Sequence, residues 1–449
     1  MIQFISPEFQ KEFLKVLQFI MEEFGSIDKL IDTDEFVCDI NQLYSDITSL
    51  VACTNYDPED EYDDVIISNQ TCITLHLADT DDEDIYEEIT LQQLMNIIEQ
   101  YKSIRTMTLG KCISPDVAFY VINSEQDDFV LQQAFLNYNG FYNDIVTLNS
   151  IYNGKGVRCS IVLGITLFGM MILKQQEYNE YFPPVSCRDL FIKIESEDLS
   201  DDDYDIIVNA YIFELSACDV LDVSLSSRPE YPYDDEVEDF LIQTEYLDPL
   251  IFSKGLDIPI LIFNNGLKTI DINHKIIEFT RVIEHISQTV IRLEKTERIQ
   301  SKLSRLRAIN ADADYIRELE QVYDDLKNKY AKDSDLIKAT IQRCCDMDEI
   351  GVLSPEYLRK VASLSSSLAK PKSDRLQVIE AAKEELAQAI SDTRNEISHA
   401  KANYIGRGKE CPNEEKGEFV KMLKVVAIQV IRWYSNIHES QRITANSPG

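Results

Sequence analysis

The chain has 449 residues, which exceeds what one hydrophobic core accommodates and predicts two to four domains. Residues 1–250 carry 50 acidic against 12 basic side chains, whereas residues 251–449 carry 29 against 31. This asymmetry argues against nucleic-acid binding by the first half and leaves the second half as the part that can approach a polyanion.

Cysteine usage and hydropathy predict a cytoplasmic protein with reduced thiols. None of the ten cysteines falls in a C-x-x-C spacing, and no cysteine/histidine cluster resembles a zinc site, so neither a metal nor a cofactor is expected. The N-terminus lacks the basic segment and apolar stretch of a signal peptide. The most apolar run, Ile161–Leu173, is too short to span a bilayer, so we expect a buried strand or core segment and no membrane partner.

Residues 1–270 have the pattern of a mixed, β-rich domain, with room for two subdomains. Helices are predicted over Pro7–Phe24 and Leu91–Ser103. The predicted strands are Asp64–Ile67, Cys72–Leu77, Val117–Ile122, Ile145–Leu148, Val157–Leu163, Leu190–Ile194, Ile206–Phe213 and Pro259–Phe263. Turns between such runs are predicted at Asn139-Gly140, Asn153-Gly154 and Asn265-Gly266.

Four acidic clusters interrupt these runs and are predicted to be surface loops. They are Asp57–Asp64, Asp79–Glu88, Asp198–Asp205 and Asp234–Asp239. Two of them resemble the first half of a calcium loop but lack its glycine and its final glutamate, so solvated loops are favoured over divalent-cation sites. The net negative charge of this half favours a role in solubility. Alternatively, this half binds a basic partner or shields the second half of the chain from polyanions.

The pattern changes near residue 270, where the apolar spacing becomes helical. Apolar stripes run from Ile276 to Leu293 and from Tyr315 to Tyr330. Further helices are predicted to begin at Ser354-Pro355, to run from Asp374 to about Tyr404 after a cap at Ser373, and to cover about Glu418–Glu439. The predicted fold class is therefore α+β, with a β-rich domain over residues 1–270 and an all-α helical bundle over residues 271–449.

The segment Arg394-Asn395-Glu396-Ile397-Ser398-His399 closes one of these helices and combines residues suited to phosphodiester chemistry. Histidine exchanges a proton near neutral pH, and arginine holds a phosphate with a planar fork of donors. On a helix Asn395 and His399 share a face, whereas Arg394 and His399 are about 140° apart. One copy of the motif therefore hardly forms a complete active site alone, whereas two copies that face each other across a twofold axis would form one.

Other motifs give weaker signals. Gly154-Lys155-Gly156 does not extend to the spacing of a phosphate-binding P-loop, and no G-x-G-x-x-G occurs. His76, His285 and His438 lie in patterns typical of structural or solvated histidines. These observations argue against nucleotide binding through such motifs.

Arg394-Asn395-x-x-x-His399 resembles the R-x4–6-H motif of the HEPN superfamily, and with Ala400 and Lys401 it is most similar to the ApeA-like branch of bacterial anti-phage proteins. The resemblance covers about residues 275–440, and its specific part is about ten residues long. Members of that branch join a C-terminal HEPN helical bundle to a larger, divergent N-terminal domain.

This resemblance implies a metal-independent endoribonuclease acting as a homodimer through its helical domain. His399 would act as general base or acid, Arg394 would stabilise the scissile phosphate, and Asn395 would orient either. Attack by the RNA 2′-hydroxyl would leave a 2′,3′-cyclic phosphate. Lys401, Arg407 and Lys409 are predicted backbone-phosphate contacts.

The implied setting is anti-phage defence by abortive infection. The implied substrate is RNA, and tRNA is one candidate. A phage-derived trigger or a basic protein would act on the acidic N-terminal domain. We hypothesise that this domain restrains the nuclease, which predicts that a fragment of residues 270–449 cleaves RNA faster than the full chain. Two alternatives stay open: a non-catalytic HEPN interaction or dimerisation protein, and a metal hydrolase built on the acidic loops.

Overall fold

The computed structural model describes residues 2–28, 30–31, 36, 39–48, 65–76, 86–108, 110–124, 145–163, 190–227, 247–304, 312–330, 332–364, 367, 371–398 and 408–443. The chain divides into two compact units. The first consists of Met1–Val208 and Val220–Pro249, and the second of Asn209–Asp219 and Leu250–Gly449. The first unit holds strands and helices and the second is helical in its described part, so the α+β prediction is confirmed at this level.

The first unit contains the strands of the described chain. These are β1 (Ile2–Phe4), β2 (Val65–Ile67), β3 (Cys72–His76), β4 (Tyr86–Thr90), β5 (Thr106–Thr108), β6 (Lys111–Ile113), β7 (Val117–Ser124), β8 (Ile145–Tyr152), β9 (Lys155–Leu163), β10 (Leu190–Glu195) and β11 (Val223–Leu225). Its helices are α1 (Pro7–Phe24), α2 (Ile40–Thr48), α3 (Leu91–Lys102) and the first part of α4 (Asp201–Ala217).

Helix α1 has the predicted bounds because both its ends are encoded locally. The Ser6 hydroxyl accepts a hydrogen bond from the Phe9 amide at 3.1 Å, and Pro7 occupies the first helical position. Gly25 ends the helix with φ of 86°, a left-handed conformation that glycine adopts without a steric penalty. Helix α3 likewise begins with a capping box formed by Thr90 and Gln93.

Seven antiparallel strands form the main sheet, in the order β5-β6-β7-β10-β9-β8 with β11 also paired to β7. The β8–β9 hairpin turns at Asn153-Gly154, where both residues have positive φ, 50° and 81°. These values are typical of a type I′ turn, whose twist matches that of the flanking strands. This predicted turn is confirmed.

Helix α4 corrects two predictions, because Ile206–Phe213 is not a strand and Asp201–Asp205 is not a loop. Its second half is buried on all sides, since every residue from Ala210 to Ser216 is buried, whereas Ile206 in its first half is 37% exposed. A helix buried on all sides lacks the one-sided spacing that distinguishes a helix from a strand. The informative signal was Ser200-x-x-Asp203, which forms reciprocal capping hydrogen bonds.

The acidic residues at the start of α4 are structural. The Asp203 carboxylate accepts a hydrogen bond from the Tyr152 hydroxyl at 2.9 Å. The Asp205 carboxylate accepts one from the Tyr120 hydroxyl and pairs with the Lys111 ammonium, each at 2.8 Å. These contacts attach the helix to the sheet, so this cluster does not have the free carboxylates of a calcium loop.

The second unit contains the rest of α4 and the later helices. These are α5 (Asp257–Lys268), α6 (Ile272–Leu303), α7 (Ala313–Lys329), α8 (Asp333–Cys344), α9 (Met347–Val352), α10 (Arg359–Ala362), α11 (Lys372–Ser398) and α12 (Lys416–Ser435). The apolar stripe predicted for α6 is confirmed, since Ile276, Ile283, Ile286 and Val290 are buried. They pack in the core with buried side chains of α12 such as Phe419 and Val426.

Helix α5 replaces the predicted strand Pro259–Phe263 and the predicted turn Asn265-Gly266. Pro259 lies in the first turn, where a helix tolerates a residue without an amide hydrogen. Gly266 lies inside this helix, and its lack of a side chain permits a close contact, since a Cβ atom there would lie 2.7 Å from the Phe279 ring. Gly266 thus allows α5 to pack closely against α6, and the residues next to it in sequence do not reveal this role.

Replacing Gly266 with alanine is expected to destabilise the second unit by about 1–3 kcal/mol, since the added methyl group overpacks a buried ring. Gly417 in α12 is the matched control, because an added Cβ meets nothing within 4 Å. Gly417→Ala should be neutral or stabilising by up to about 1 kcal/mol. Urea unfolding measures both, and a Gly266→Ala variant as stable as the wild type would contradict this packing.

The remaining helix predictions have mixed outcomes. Ser354-Pro355 does not begin a helix, because Pro355 starts a turn closed by the Leu358 amide, and α10 begins at Arg359. Helix α11 begins at Lys372 and is described to Ser398, so its predicted end near Tyr404 lies outside the described residues. Helix α12 ends at Ser435, four residues before its predicted end.

Several predictions concern residues outside the described ranges. They include the turn at Asn139-Gly140, the clusters Asp57–Asp64 and Asp234–Asp239, and the part of the Ile161–Leu173 run beyond Leu163. Of the cluster Asp79–Glu88, only Tyr86–Glu88 is described, and it belongs to strand β4.

Candidate functional site

Arg394 and Asn395 lie in the last described turns of α11, next to a buried face of the same helix. Leu386, Ile390 and Thr393 are buried, whereas Arg394 and Asn395 are half-buried. The core contacts fix the rotation of α11, and this rotation places both polar side chains at the edge of the core. His399, the third residue of the predicted catalytic set, lies outside the described residues, as do Lys401 and Arg407.

The Arg394 guanidinium contacts groups from three helices. Its Nη2 atom lies 3.2 Å from Oε1 and 3.3 Å from Oε2 of Glu284, on α6. Its Nη1 atom donates a hydrogen bond to Oδ1 of Asn395 at 3.1 Å. Nη1 also lies 3.9 Å from a carboxylate oxygen of Asp333, the first residue of α8.

The two carboxylates differ in exposure. The Glu284 side chain is 27% exposed and the Asp333 side chain 60% exposed, while that of Arg394 is 29% exposed. Burial raises the pKa of the Glu284 carboxyl above its ordinary value, and the positive charge of Arg394 acts in the opposite direction. The ion pair with Glu284 is thus the less hydrated of the two, and the contact with Asp333 is the more strongly screened.

A buried hydrogen bond holds the segment that follows the motif. The Cys411 amide donates to the Thr393 hydroxyl at 2.9 Å, next to Arg394 in sequence. Burial raises the pKa of the Cys411 thiol to about 11, which disfavours the thiolate that a nucleophilic cysteine requires.

Lys409 is the one predicted phosphate-contacting residue that the structure describes, and it is ion-paired. Its Nζ atom lies 3.7 Å from Oε1 of Glu385, a buried carboxylate on α11. The same carboxylate accepts a hydrogen bond from the Lys360 amide at 2.6 Å. The Lys409 side chain is 48% exposed, so it has access to solvent in addition to this partner.

Other histidines of the described chain have local roles. His285 follows Glu284 on α6, is half-buried, and has a pKa lowered by burial. His274 lies 3.6 Å from Asp271, and the His438 ring accepts a hydrogen bond from the Ser440 amide at 3.2 Å. The side chain of His76 lies outside the described residues.

Sequence reasoning found Arg394 and Asn395 through their adjacency and spacing to His399, but it missed Glu284 and Asp333. Glu284 is 110 residues from Arg394, and no local motif connects them. The available signal was a polar spacing on α6, where Glu278, Arg281 and Glu284 recur every three residues beside the apolar stripe.

The arrangement provides a guanidinium held in place at the edge of a helical core, with an amide side chain beside it. Such a group binds an oxyanion, because arginine presents five N–H donors in a planar fork. Within the described ranges, no helix is both long and apolar enough to cross a membrane. No protein-family model, no curated protein and no solved structure matches this chain.

Proposed function

We propose that the chain is a metal-independent endoribonuclease of the HEPN type, whose active site combines Arg394, Asn395 and His399 from two copies of its helical bundle. One observation carries the proposal. Arg394 and Asn395, adjacent in the motif, are hydrogen-bonded to each other at the partly exposed end of α11. A phosphate-binding arginine needs this combination of fixed orientation and access.

The proposed reaction requires only a base, an acid and a charge stabiliser. His399 of one copy takes the proton from an RNA 2′-hydroxyl, and O2′ forms a bond to phosphorus. The bond from phosphorus to the 5′-oxygen breaks, and His399 of the other copy returns a proton to that oxygen. Arg394 stabilises the charge that develops on the phosphoryl oxygens. The products are a 2′,3′-cyclic phosphate and a 5′-hydroxyl.

The proposed setting is bacterial anti-phage defence by abortive infection, which rests on the resemblance of the motif. The nuclease would act as a cytoplasmic homodimer, with the N-terminal half responding to a phage-derived trigger or a basic partner. Its acidity, 50 acidic against 12 basic residues, favours a cationic partner over RNA.

Cleavage of RNA in the presence of EDTA tests the proposal. The purified full-length chain should cleave RNA with excess chelator present, and it should spare DNA of the same sequence, which lacks the 2′-hydroxyl. Loss of cleavage in EDTA would instead indicate a metal hydrolase.

A non-catalytic interaction protein is the second candidate, favoured by the contacts of Arg394 with two carboxylates. An arginine in a purely structural role makes such contacts too. A chain that forms dimers but leaves RNA and DNA intact would support this alternative.

A further inference from the structure

Glu284 is a partly buried carboxylate that the motif does not include, and it faces the guanidinium of Arg394. Both of its oxygens lie within 3.3 Å of Nη2, although α6 and α11 are distant in sequence. Asn395 binds the other terminal nitrogen, Nη1, at 3.1 Å. Two hydrogen-bonding groups, one on another helix and one on its own, therefore hold the guanidinium, and the more exposed Asp333 lies 3.9 Å from Nη1.

Fixing a guanidinium in this way matters for phosphate binding. Arginine carries five N–H donors, more than these hydrogen bonds use, so a phosphate oxygen can still be bound in the same plane. A long side chain that is already ordered loses less conformational entropy when it binds. A displacement of about 1 Å at a reacting group can lower a rate by about 100-fold.

We propose that Glu284 is the positioning residue for Arg394: its carboxylate holds the guanidinium against α6 in the orientation that binds the scissile phosphate. This role rests on the proposed ribonuclease activity. Glu284 itself touches neither substrate nor reacting atoms and acts through Arg394. The burial that raises the pKa of Glu284 is consistent with a contact shielded from competing water.

The structure offers a matched control on the same helix. Glu278 is also a partly buried glutamate of α6, with an 18% exposed side chain, and it is ion-paired to Arg281 at 2.6 Å. Replacing Glu278 with glutamine makes the same chemical change at a carboxylate that pairs with Arg281 instead of Arg394. A general effect of removing a carboxylate from α6 would appear in both variants.

The test measures kcat and KM for RNA cleavage by full-length Glu284→Gln, Glu284→Asp and Glu278→Gln. Glu284→Gln should lower kcat by about 10- to 100-fold with a smaller change in KM, because the arginine remains but is misplaced. Glu284→Asp keeps the charge but withdraws it by one methylene group, so an intermediate kcat is expected. Glu278→Gln should stay within about twofold of the wild type.

Different outcomes distinguish a failure of the role of Glu284 from a failure of the proposed ribonuclease activity. Wild-type kcat in Glu284→Gln, or in Glu284→Asp where the glutamine variant does not fold, overturns the role of Glu284 alone. Equal losses in Glu278→Gln and Glu284→Gln overturn it as well, because the effect would not depend on contact with Arg394. Absence of RNA cleavage by the wild type overturns the proposed function and this role together.

Discussion

Arg394→Ala and His399→Ala are each expected to lower RNA cleavage by about 10²–10⁴-fold while leaving the chain folded and dimeric. The histidine variant loses the group proposed to move protons, and general acid–base catalysis contributes a factor of this size. The arginine variant loses the donors proposed to stabilise the growing phosphoryl charge. The measurement is the cleavage rate of a defined RNA by purified protein at equal concentration.

Two controls make this result interpretable. Circular dichroism and sizing of each variant should show the fold and dimer of the wild type, while Arg394→Ala is expected to melt at a lower temperature because it leaves the partly buried Glu284 carboxylate without this partner. Glu278→Gln provides a charge change on α6 at a carboxylate that pairs with Arg281 instead of Arg394. Persistent cleavage in both the Arg394→Ala and His399→Ala variants would rule out the proposed site.

Glu214→Ala is expected to lower the free energy of unfolding of the second unit by about 3–5 kcal/mol, because it leaves the charge of Arg432 without its buried partner. Glu214 is fully buried, and its two oxygens accept from Nη1 and Nη2 of Arg432 at 2.8 and 2.5 Å. Arg432 also stacks over the Phe213 ring. Urea-induced unfolding followed by circular dichroism measures the loss.

A double replacement distinguishes the loss of the ion pair from the cost of leaving one of its charges alone. Glu214→Leu combined with Arg432→Met removes both charges and keeps apolar volume, so it should be markedly more stable than Glu214→Ala. A Glu214→Ala variant within about 0.5 kcal/mol of the wild type would show that this pair contributes little.

The ion pair between Glu214 and Arg432 also limits what the activity of a truncated chain can reveal about restraint by the acidic half. A fragment of residues 270–449 lacks Glu214, which belongs to the second unit, and it lacks α5 as well. Low activity of that fragment would therefore follow from lost packing, and only higher activity than the full chain would bear on restraint by the acidic half.

Elements whose ends carry local signals were predictable, and helices built on short, largely apolar runs were not. The bounds of α1 follow from Ser6, Pro7 and Gly25, and the β8–β9 turn follows from Asn153-Gly154. Helices α4 and α5 were mistaken for strands because Ile206–Phe213 and Pro259–Phe263 are short, largely apolar runs, whose spacing alone does not distinguish a helix from a strand. For such segments tertiary packing decides between helix and strand.

The residues of the candidate site also differ in whether the sequence reveals them. Arg394 and Asn395 were found because they form a short sequence motif with His399. Glu284 was missed because only the packing of α6 against α11 brings it to Arg394. Local sequence thus identified the candidate reactive groups, whereas the fold was needed to identify the group proposed to hold one of them.

The proposed reaction is decided by the chemical identity of the RNA ends that the full-length protein makes in EDTA. Attack by the 2′-hydroxyl predicts fragments that end in a 2′,3′-cyclic phosphate and begin with a 5′-hydroxyl, and it predicts that the His399→Ala variant produces neither. Fragments with 5′-phosphate and 3′-hydroxyl ends, or cleavage that requires a divalent metal, would contradict the account.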